Sequence, residues 1–173
     1  MAEVGVEIFE QLLLRGGFPN SFAANDDRKS SDWRQNFARS FLERYIPQLG
    51  IGITSVTLGR FWSKVAHYHA QVWNGSEFAR SFGISHTTIR RYVNVLEATF
   101  MLRILKPWIA SIKIRQVKSP KMYFRDSGLL HTILGIETPC ELERLPKMSA
   151  SWEDCILENI IQALEVEKRD CYF

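Results

Sequence analysis

The stretch NGSEFARSFGISHTTIRRYVNVLEATFMLRILKP, residues 74–107, decides the fold. Asn74, followed three residues later by Glu77, is typical of a reciprocal helix N-cap, and Gly83 is the residue type that ends a helix in a left-handed conformation. Ser85 then caps a second helix, in which apolar residues recur at helical spacing. The predicted buried stripe of this second helix is Ile89, Val93, Leu96 and Phe100. Two short helices that meet at a tight turn and are followed by strands predict a winged helix-turn-helix.

The opposite side of the second helix carries polar residues that suit nucleic acid. Arginine can bond guanine in the major groove, asparagine can bond adenine, and threonine can bond base edges or phosphate. In a helix-turn-helix the second helix enters the groove with its N-terminal residues leading, so we predict a nucleic-acid-binding surface here. Its members are Ser85, His86, Thr87, Arg90, Arg91 and Asn94. The alternative is that the arginines only form a solvated helix face, because fold does not determine function and winged helices also dock proteins.

The segment after this helix carries a second group of basic residues. The alternation in residues 100–106 predicts an apolar strand that ends at Pro107. Residues 112–117 alternate apolar and basic side chains, and residues 121–124 are predicted to form another short strand. A hairpin with one basic face suits a wing that lies along phosphates. Lys113, Arg115 and Lys118 therefore complete the predicted nucleic-acid-binding set. The alternative is that these side chains protect an exposed strand edge from aggregation.

The 173 residues are 46% apolar and 24% charged, which is an ordinary globular composition. No apolar run approaches a membrane span, no signal peptide opens the chain, and the three cysteines form no close pair, so we expect a cytoplasmic protein with reduced thiols. Residues 75–126 carry ten Lys/Arg and three Asp/Glu, a net charge of +7, and residues 127–173 carry four and nine, a net charge of −5. The basic segment attracts phosphate or an acidic protein face, unless the acidic tail folds against it and neutralises it.

Helical periodicity predicts helices on both sides of this core. Residues 4–15 and 32–46 form a helical hairpin around a polar loop at 20–31, and Thr54 or Ser55 begins the first helix of the winged fold. Asp126 or Ser127 caps a helix over residues 129–134, residues 136–150 connect irregularly, and Ser151 begins a last helix. Its predicted buried side is Trp152, Ile156, Ile160 and Leu164. The apolar residues 171–173 resemble the start of a strand.

Several stretches match one known family in the right order. The most specific is VKSPKMYFRDSGLL at residues 117–130, and LRGGFP (14–19), FLER (41–44), SEFAR (76–80), YVNVLEA (92–98) and residues 151–158 add to it. Together they resemble a family of bacterial and archaeal AAA-type ATPases that carry a conserved C-terminal domain of unknown function. The resemblance implies an ATPase domain first, then the winged helix, and last a restriction-endonuclease-like α/β domain.

This chain departs from that layout at both ends. It has no G-x-x-x-x-G-K-[ST] loop to hold nucleotide phosphates, and it stops before the strands that would carry a nuclease-like acidic cluster for two metal ions. Glu153 and Glu158 match the family's last helix, and we predict that they are surface and helix-end charges. We therefore expect no enzyme activity, no catalytic residue, no metal ligand and no cofactor in this chain. ATP and Mg²⁺ are implied only for a missing upstream domain.

The predicted fold is mainly α with a small β component, a winged helix-turn-helix core flanked by an N-terminal helical hairpin and a truncated C-terminal α/β element. The predicted units are residues 1–52, the lid-like end of an ATPase region, 53–125, the winged helix, and 126–173, the start of a nuclease-like domain. The predicted function is a non-catalytic nucleic-acid-binding or regulatory module, with DNA as its partner. The alternative is a protein–protein assembly domain without nucleic acid, as a homodimer or as a partner of an ATPase domain.

Overall fold

The computed structural model describes residues 2–108, 119–167 and 170–173. The described part is mainly helical with one small antiparallel sheet, as the sequence predicts. Its elements are α1 (Ala2–Arg15), α2 (Pro19–Phe22), α3 (Asp27–Ser40), a π-helical turn (Phe41–Tyr45), α4 (Ile46–Gln48), α5 (Ser55–His67), α6 (Gly75–Phe82), α7 (His86–Ala98), β1 (Leu102–Leu105), β2 (Lys121–Phe124), α8 (Ser127–Leu134), α9 (Pro139–Glu143) and α10 (Met148–Ala163).

Helices α5, α6 and α7 and the β1–β2 pair form the predicted winged helix-turn-helix. Asn74 Oδ1 accepts a bond from the Glu77 backbone N–H at 3.2 Å, and Gly83 is left-handed with φ +64°. Ser85 Oγ accepts a bond from the Thr88 N–H at 3.1 Å. In the described residues Glu77 does not return the bond to Asn74, so that cap is one-sided and not reciprocal. The caps and the turn therefore set the angle between α6 and α7.

Within the part of the chain that the structure describes, two apolar clusters make up the core. The larger one joins α5, α7, the sheet and α8, and Phe61, Ile89 and Leu96 within it are fully buried. The smaller one joins α1, α9 and α10 around Leu13 and Leu142. The larger cluster contains side chains from each of the predicted units 1–52, 53–125 and 126–173. The boundaries of those units stay predictions.

The turn after α1 packs directly on the start of α8. The Gly17 N–H donates to Asp126 Oδ2 at 2.8 Å, and Asp126 Oδ1 also caps α8 by accepting the Leu129 N–H at 2.8 Å. A Cβ added at Gly128 would come within 2.3 Å of the Arg15 carbonyl oxygen. The LRGGFP and YFRDSGLL stretches are thus one packing unit. The predicted cap at Asp126 is confirmed, and α8 ends at Gly135, which is left-handed.

The prediction of a loop at residues 20–31 is wrong. Helix α2 occupies its start, and α3 begins at Asp27 after its N-cap Asp26. The polar residues of this segment surround the buried guanidinium of Arg34, whose Nη1 bonds Ser30 Oγ at 2.5 Å and Ser21 Oγ at 3.1 Å. A buried arginine needs polar partners, so this helix begins with a polar buried face that apolar periodicity does not detect.

The predicted C-terminal helix exists, but its start and its buried face are wrong. It begins at Met148, inside the stretch predicted to be irregular, which also contains α9 with a capping box at Thr138. Ile156, Ile160 and Leu164 are 42%, 51% and 67% exposed. The buried side consists of Ser151, Asp154, Cys155, Glu158 and Ile161. Ser151 and Glu158 face inward because His131 and Arg103 inside the molecule bond to them.

Two smaller predictions also change. Phe100 is not part of the buried stripe of α7: the helix ends at Ala98, and Phe100 has φ +61° and is 70% exposed. Glu158, predicted to be a surface charge, is buried. The chain end behaves as predicted, because Tyr172 forms a parallel bridge with Lys106 and the Phe173 N–H donates to the Lys106 carbonyl at 3.0 Å.

Candidate nucleic-acid interface

Helix α7 separates its apolar and polar residues cleanly. Ile89, Val93 and Leu96 are between 0% and 7% exposed and lie in the larger core cluster. Thr87, Arg90, Arg91 and Asn94 are exposed on the other side. Among the described residues neither arginine forms an ion pair within 4 Å, so both guanidinium groups are available to a ligand.

A surface groove runs along one flank of α7. It has a volume of about 380 Å³ and lies between α7, the start of α6 and the base of the sheet. Of the predicted residues, His86, Arg90 and Asn94 line it, whereas Thr87 and Arg91 do not. The structure thus divides the predicted set into residues inside the groove and residues on the helix face beside it.

The first two predicted residues have structural roles as well. Ser85 is exposed, and its hydroxyl is engaged in capping α7 through Thr88. The His86 ring lies over the backbone of Gly75, since a Cβ added there would come within 2.5 Å of His86 Nε2. A side chain at position 75 would therefore have to displace the exposed His86 ring where the start of α7 approaches the start of α6. His86 stays exposed, so its ring remains accessible at the leading end of α7.

The sequence argument missed several groove residues. Trp73, Asn74 and Ser76 line it from the start of α6, and Ser119 and Pro120 line it from the segment before β2. Asn74 was predicted only as a cap, and nothing in the spacing linked residues 119–120 to α7. Glu97 also lines the groove and adds a negative charge. The predicted wing residues Lys113, Arg115 and Lys118 lie outside the described residues.

Part of the basic charge of residues 75–126 is neutralised by the acidic tail. Arg103 donates to both carboxylate oxygens of Glu158, and Arg125 Nε lies 3.4 Å from Glu158 Oε2. Lys121 Nζ lies 3.6 Å from Glu153 Oε1. Since all three cations belong to the sheet and its end, α10 neutralises the sheet and leaves α7 positively charged. The neutralisation considered for the charge pattern therefore occurs at the sheet, and the attraction of phosphate or of an acidic protein face stays a prediction.

Two buried histidines lie beneath the sheet and α8. Burial lowers the pKa of His69 and of His131 to about 4 each. His69 Nδ1 accepts the Phe124 N–H at 3.2 Å, and His131 Nε2 bonds Ser151 Oγ at 2.6 Å. His69 is buried and His67 exposed, so the two do not share a site.

The described residues bring together no three His, Cys, Asp or Glu side chains that could hold a metal ion. Burial raises the pKa of the Cys155 thiol to about 11, which keeps it protonated and unreactive. Asp154 is fully buried, and its two oxygens have no hydrogen-bond partner among the described residues. Burial raises the pKa of this carboxyl well above its usual value. Within the same residues, every helix is too short or too polar to cross a membrane.

Residues 6–139 match the family described as "Domain of unknown function (DUF8612)". The uncharacterised proteins Rv2008c of Mycobacterium tuberculosis and Mb2031c of Mycobacterium bovis are each 46% identical over 162 residues, which cover 94% of this chain. The match spans 37% of the length of each of these relatives. These findings agree with the expected domain of unknown function.

One solved structure has a distant likeness. It is described as "The crystal structure of transcriptional regulator PA3341", is 20% identical, and covers 78% of this chain and 94% of that chain. The TM-score is 0.33, which is too low to transfer fold or function from that protein to this one.

Proposed function

This chain belongs to the DUF8612 family, and we propose that it is a non-catalytic winged-helix module that binds nucleic acid. One observation carries the proposal: α7 keeps Arg90, Arg91 and Asn94 exposed while its apolar side is closed in the core. Guanidinium and amide groups that are exposed on a helix of this type have the chemistry of base and phosphate recognition.

We assign different roles to the residues inside and beside the groove. Arg90 and Asn94 line the groove, and we assign them to base edges. Thr87 and Arg91 lie on the exposed face beside it, and we assign them to phosphates. His86 and Ser85 stand at the leading end of α7. In this proposal Lys113, Arg115 and Lys118, which lie outside the described residues, also contact phosphates.

Fluorescence anisotropy of labelled duplex DNA across a salt series tests the proposal. We expect the wild-type affinity to fall as salt rises, because phosphate contacts release counterions. Arg91→Ala should weaken binding on all sequences and reduce the salt slope by about 1, whereas Arg90→Ala should cost roughly 1–3 kcal/mol and relax sequence preference.

The matched control is the double variant Arg28→Ala with Arg39→Ala. Both residues are exposed on α3, which packs on α1 and α8, so the control removes the same charge as Arg90→Ala with Arg91→Ala but away from α7. We expect the control to bind as the wild type does, apart from a small long-range effect at low salt. Binding that is absent, insensitive to salt, or equally reduced in both double variants contradicts the proposal.

We further propose that the module serves a cytoplasmic AAA-type ATPase-like protein, in which a separate domain binds ATP and Mg²⁺. The LRGGFP and YFRDSGLL stretches, packed together through Gly17 and Asp126, support this, and so does the greater length of the mycobacterial relatives. The module would then dock on that ATPase domain or form a homodimer. Binding of a fluorescent ATP analogue by the full-length M. tuberculosis relative tests it, and a protein that binds none contradicts it.

A further inference from the structure

The surface at the C-terminal end of α7 has an aromatic residue that the proposed nucleic-acid contact does not use. Phe100 follows the C-cap Thr99, has φ +61° and exposes 70% of its surface. A left-handed conformation is rare for a bulky residue, since its Cβ crowds the backbone. Such outliers persist only where the surrounding structure holds them, and they concentrate at functional sites.

The backbone turn itself does not require this aromatic ring. The Phe100 N–H donates to the Glu97 carbonyl at 3.1 Å and the Met101 N–H to the Leu96 carbonyl at 2.8 Å, which closes α7 in a Schellman motif. Helices α6 and α8 have glycine at the corresponding left-handed position, and α10 has Glu165. A glycine would therefore close α7 with less strain than phenylalanine does.

Phe100 forms part of a small surface pocket, which we call the Phe100 pocket. Its volume is about 220 Å³, the scale of one large side chain, and its lining is mostly apolar. The lining residues are Phe18, Phe100, Met101, Arg125, Asp126 and Leu129. The Arg125 guanidinium lies 5.2 Å from the centre of the Phe100 ring.

The polar groups of the pocket favour an anionic ligand. Asp126 is already engaged, because its oxygens accept the N–H groups of Gly17 and Leu129. Arg125 reaches Glu158 only by a long 3.4 Å contact, since both oxygens of Glu158 are held by Arg103. In the described residues this is the one hydrogen bond of the Arg125 side chain. A guanidinium has five N–H donors in a planar fork, so Arg125 can still bind a carboxylate.

We propose that the Phe100 pocket docks a partner protein that inserts one large apolar side chain next to an aspartate or glutamate. The apolar side chain packs against Phe18 and Phe100, and the carboxylate binds Arg125. Exposed aromatic residues and arginine next to a pocket are the residue types that dominate binding energy at protein interfaces. Arg90 and Phe100 are ten residues apart, about 15 Å at the helical rise per residue, so the partner and nucleic acid can bind together.

Phage-displayed random linear peptides, selected on the full immobilised chain, are the probe. We expect enriched peptides to carry Leu, Ile, Met, Phe or Trp beside Asp or Glu. A synthetic enriched peptide should bind about tenfold more weakly to Phe100→Gly and to Arg125→Gln than to the wild type. Phe100→Gly removes the ring but suits the left-handed turn, so circular dichroism and urea unfolding should match the wild type.

The double variant Arg90→Ala with Arg91→Ala should bind the peptide as the wild type does, which separates this inference from the nucleic-acid proposal. A selection that yields no such peptides overturns the inference, as does peptide binding unchanged by Phe100→Gly. If sedimentation equilibrium shows a wild-type dimer that Phe100→Gly dissociates, the occupant is a second copy of the chain and the partner proposed here is wrong.

Discussion

At the scale of single residues, buried polar side chains hold α10 against the rest of the molecule. His69 accepts the Phe124 N–H at Nδ1, so its Nε2 carries the proton and donates to the Ala150 carbonyl at 3.3 Å. His131 bonds Ser151 in the same helix. A buried polar group left without its partner costs about 1–3 kcal/mol, so these bonds strongly favour the observed orientation of α10.

The stability of the protein should therefore depend on pH through His69. Burial lowers its pKa to about 4, whereas the unfolded chain has an ordinary value near 6.5. The unfolded state binds the proton first, so this contribution is fully present above pH 6.5 and is lost as the pH falls toward 4. At pH 5 the loss should be about 2 kcal/mol.

Urea unfolding at pH 7 and pH 5 measures this effect. Burial raises the pKa of Asp126 and Asp154, so these two carboxyl groups favour the folded state as the pH falls, opposite to His69. Both groups are also present in the variant His69→Gln, so comparison of the variant with the wild type isolates the effect of His69. The variant should be less stable than the wild type at pH 7 and should lose less stability on going to pH 5. If the wild type and the variant lost equal stability from pH 7 to pH 5, His69 would not titrate between these two pH values.

At the scale of secondary-structure elements, apolar periodicity in the sequence locates the helices whose buried faces are apolar. For helices whose buried faces contain polar side chains, the predicted start or buried face is wrong. Helix α5 begins at Ser55 after its Thr54 cap, as predicted, and α7 buries Ile89, Val93 and Leu96. Helices α3 and α10 instead bury Arg34 and Glu158 together with their partners. Apart from Ser30 on α3 itself, those partners lie on other elements, such as Arg103 on β1 for Glu158. Apolar periodicity within one helix carries no information about them.

The candidate site was likewise predictable only where its residues belong to one helix with an apolar face. The exposed face of α7 was predictable because a helix with one apolar stripe must turn its other side to solvent. The groove was not predictable, because residues 119–120 are brought to α7 by long-range pairing, of β2 with β1 and of the Trp73 N–H with the Pro120 carbonyl. Phe100 continued the apolar spacing of α7 and was predicted to be buried, although a Schellman motif had already ended the helix.

The packing of α1 on α8 gives a prediction with a matched control. A Cβ at Gly128 would meet the backbone at Arg15 O (2.3 Å) and Gly16 N (2.7 Å), so Gly128→Ala must push the two helices apart. We expect a loss of about 1–3 kcal/mol in the free energy of unfolding. Gly5→Ala makes the same change within α1, where no atom lies within 4 Å, and should be neutral or stabilising by up to about 1 kcal/mol. Urea unfolding that gives both variants the same sign would contradict this packing.

At the scale of the whole molecule, the contacts that fold the chain also decide where positive charge stays exposed. Glu158 of α10 binds Arg103 through both oxygens and reaches Arg125 only by a 3.4 Å contact, and Glu153 pairs with Lys121. Arg90 and Arg91 on α7 have no such partners among the described residues. Among the described residues, the fold therefore leaves the two arginines of the candidate interface without an ion pair, whereas α10 pairs with cations of the sheet.

The two apolar clusters should unfold as one unit. Leu134 packs against both clusters, and α8 contacts α1, α3, α5 and α10. Leu13→Ala in the smaller cluster and Leu96→Ala in the larger should each cost about 2–5 kcal/mol, because both side chains are almost fully buried. Since the clusters share α8, each variant should shift one common transition, followed alike by far-UV circular dichroism and by tryptophan fluorescence. If Leu13→Ala shifted only the first of two separate transitions, the two clusters would unfold independently, and α8 would not couple them.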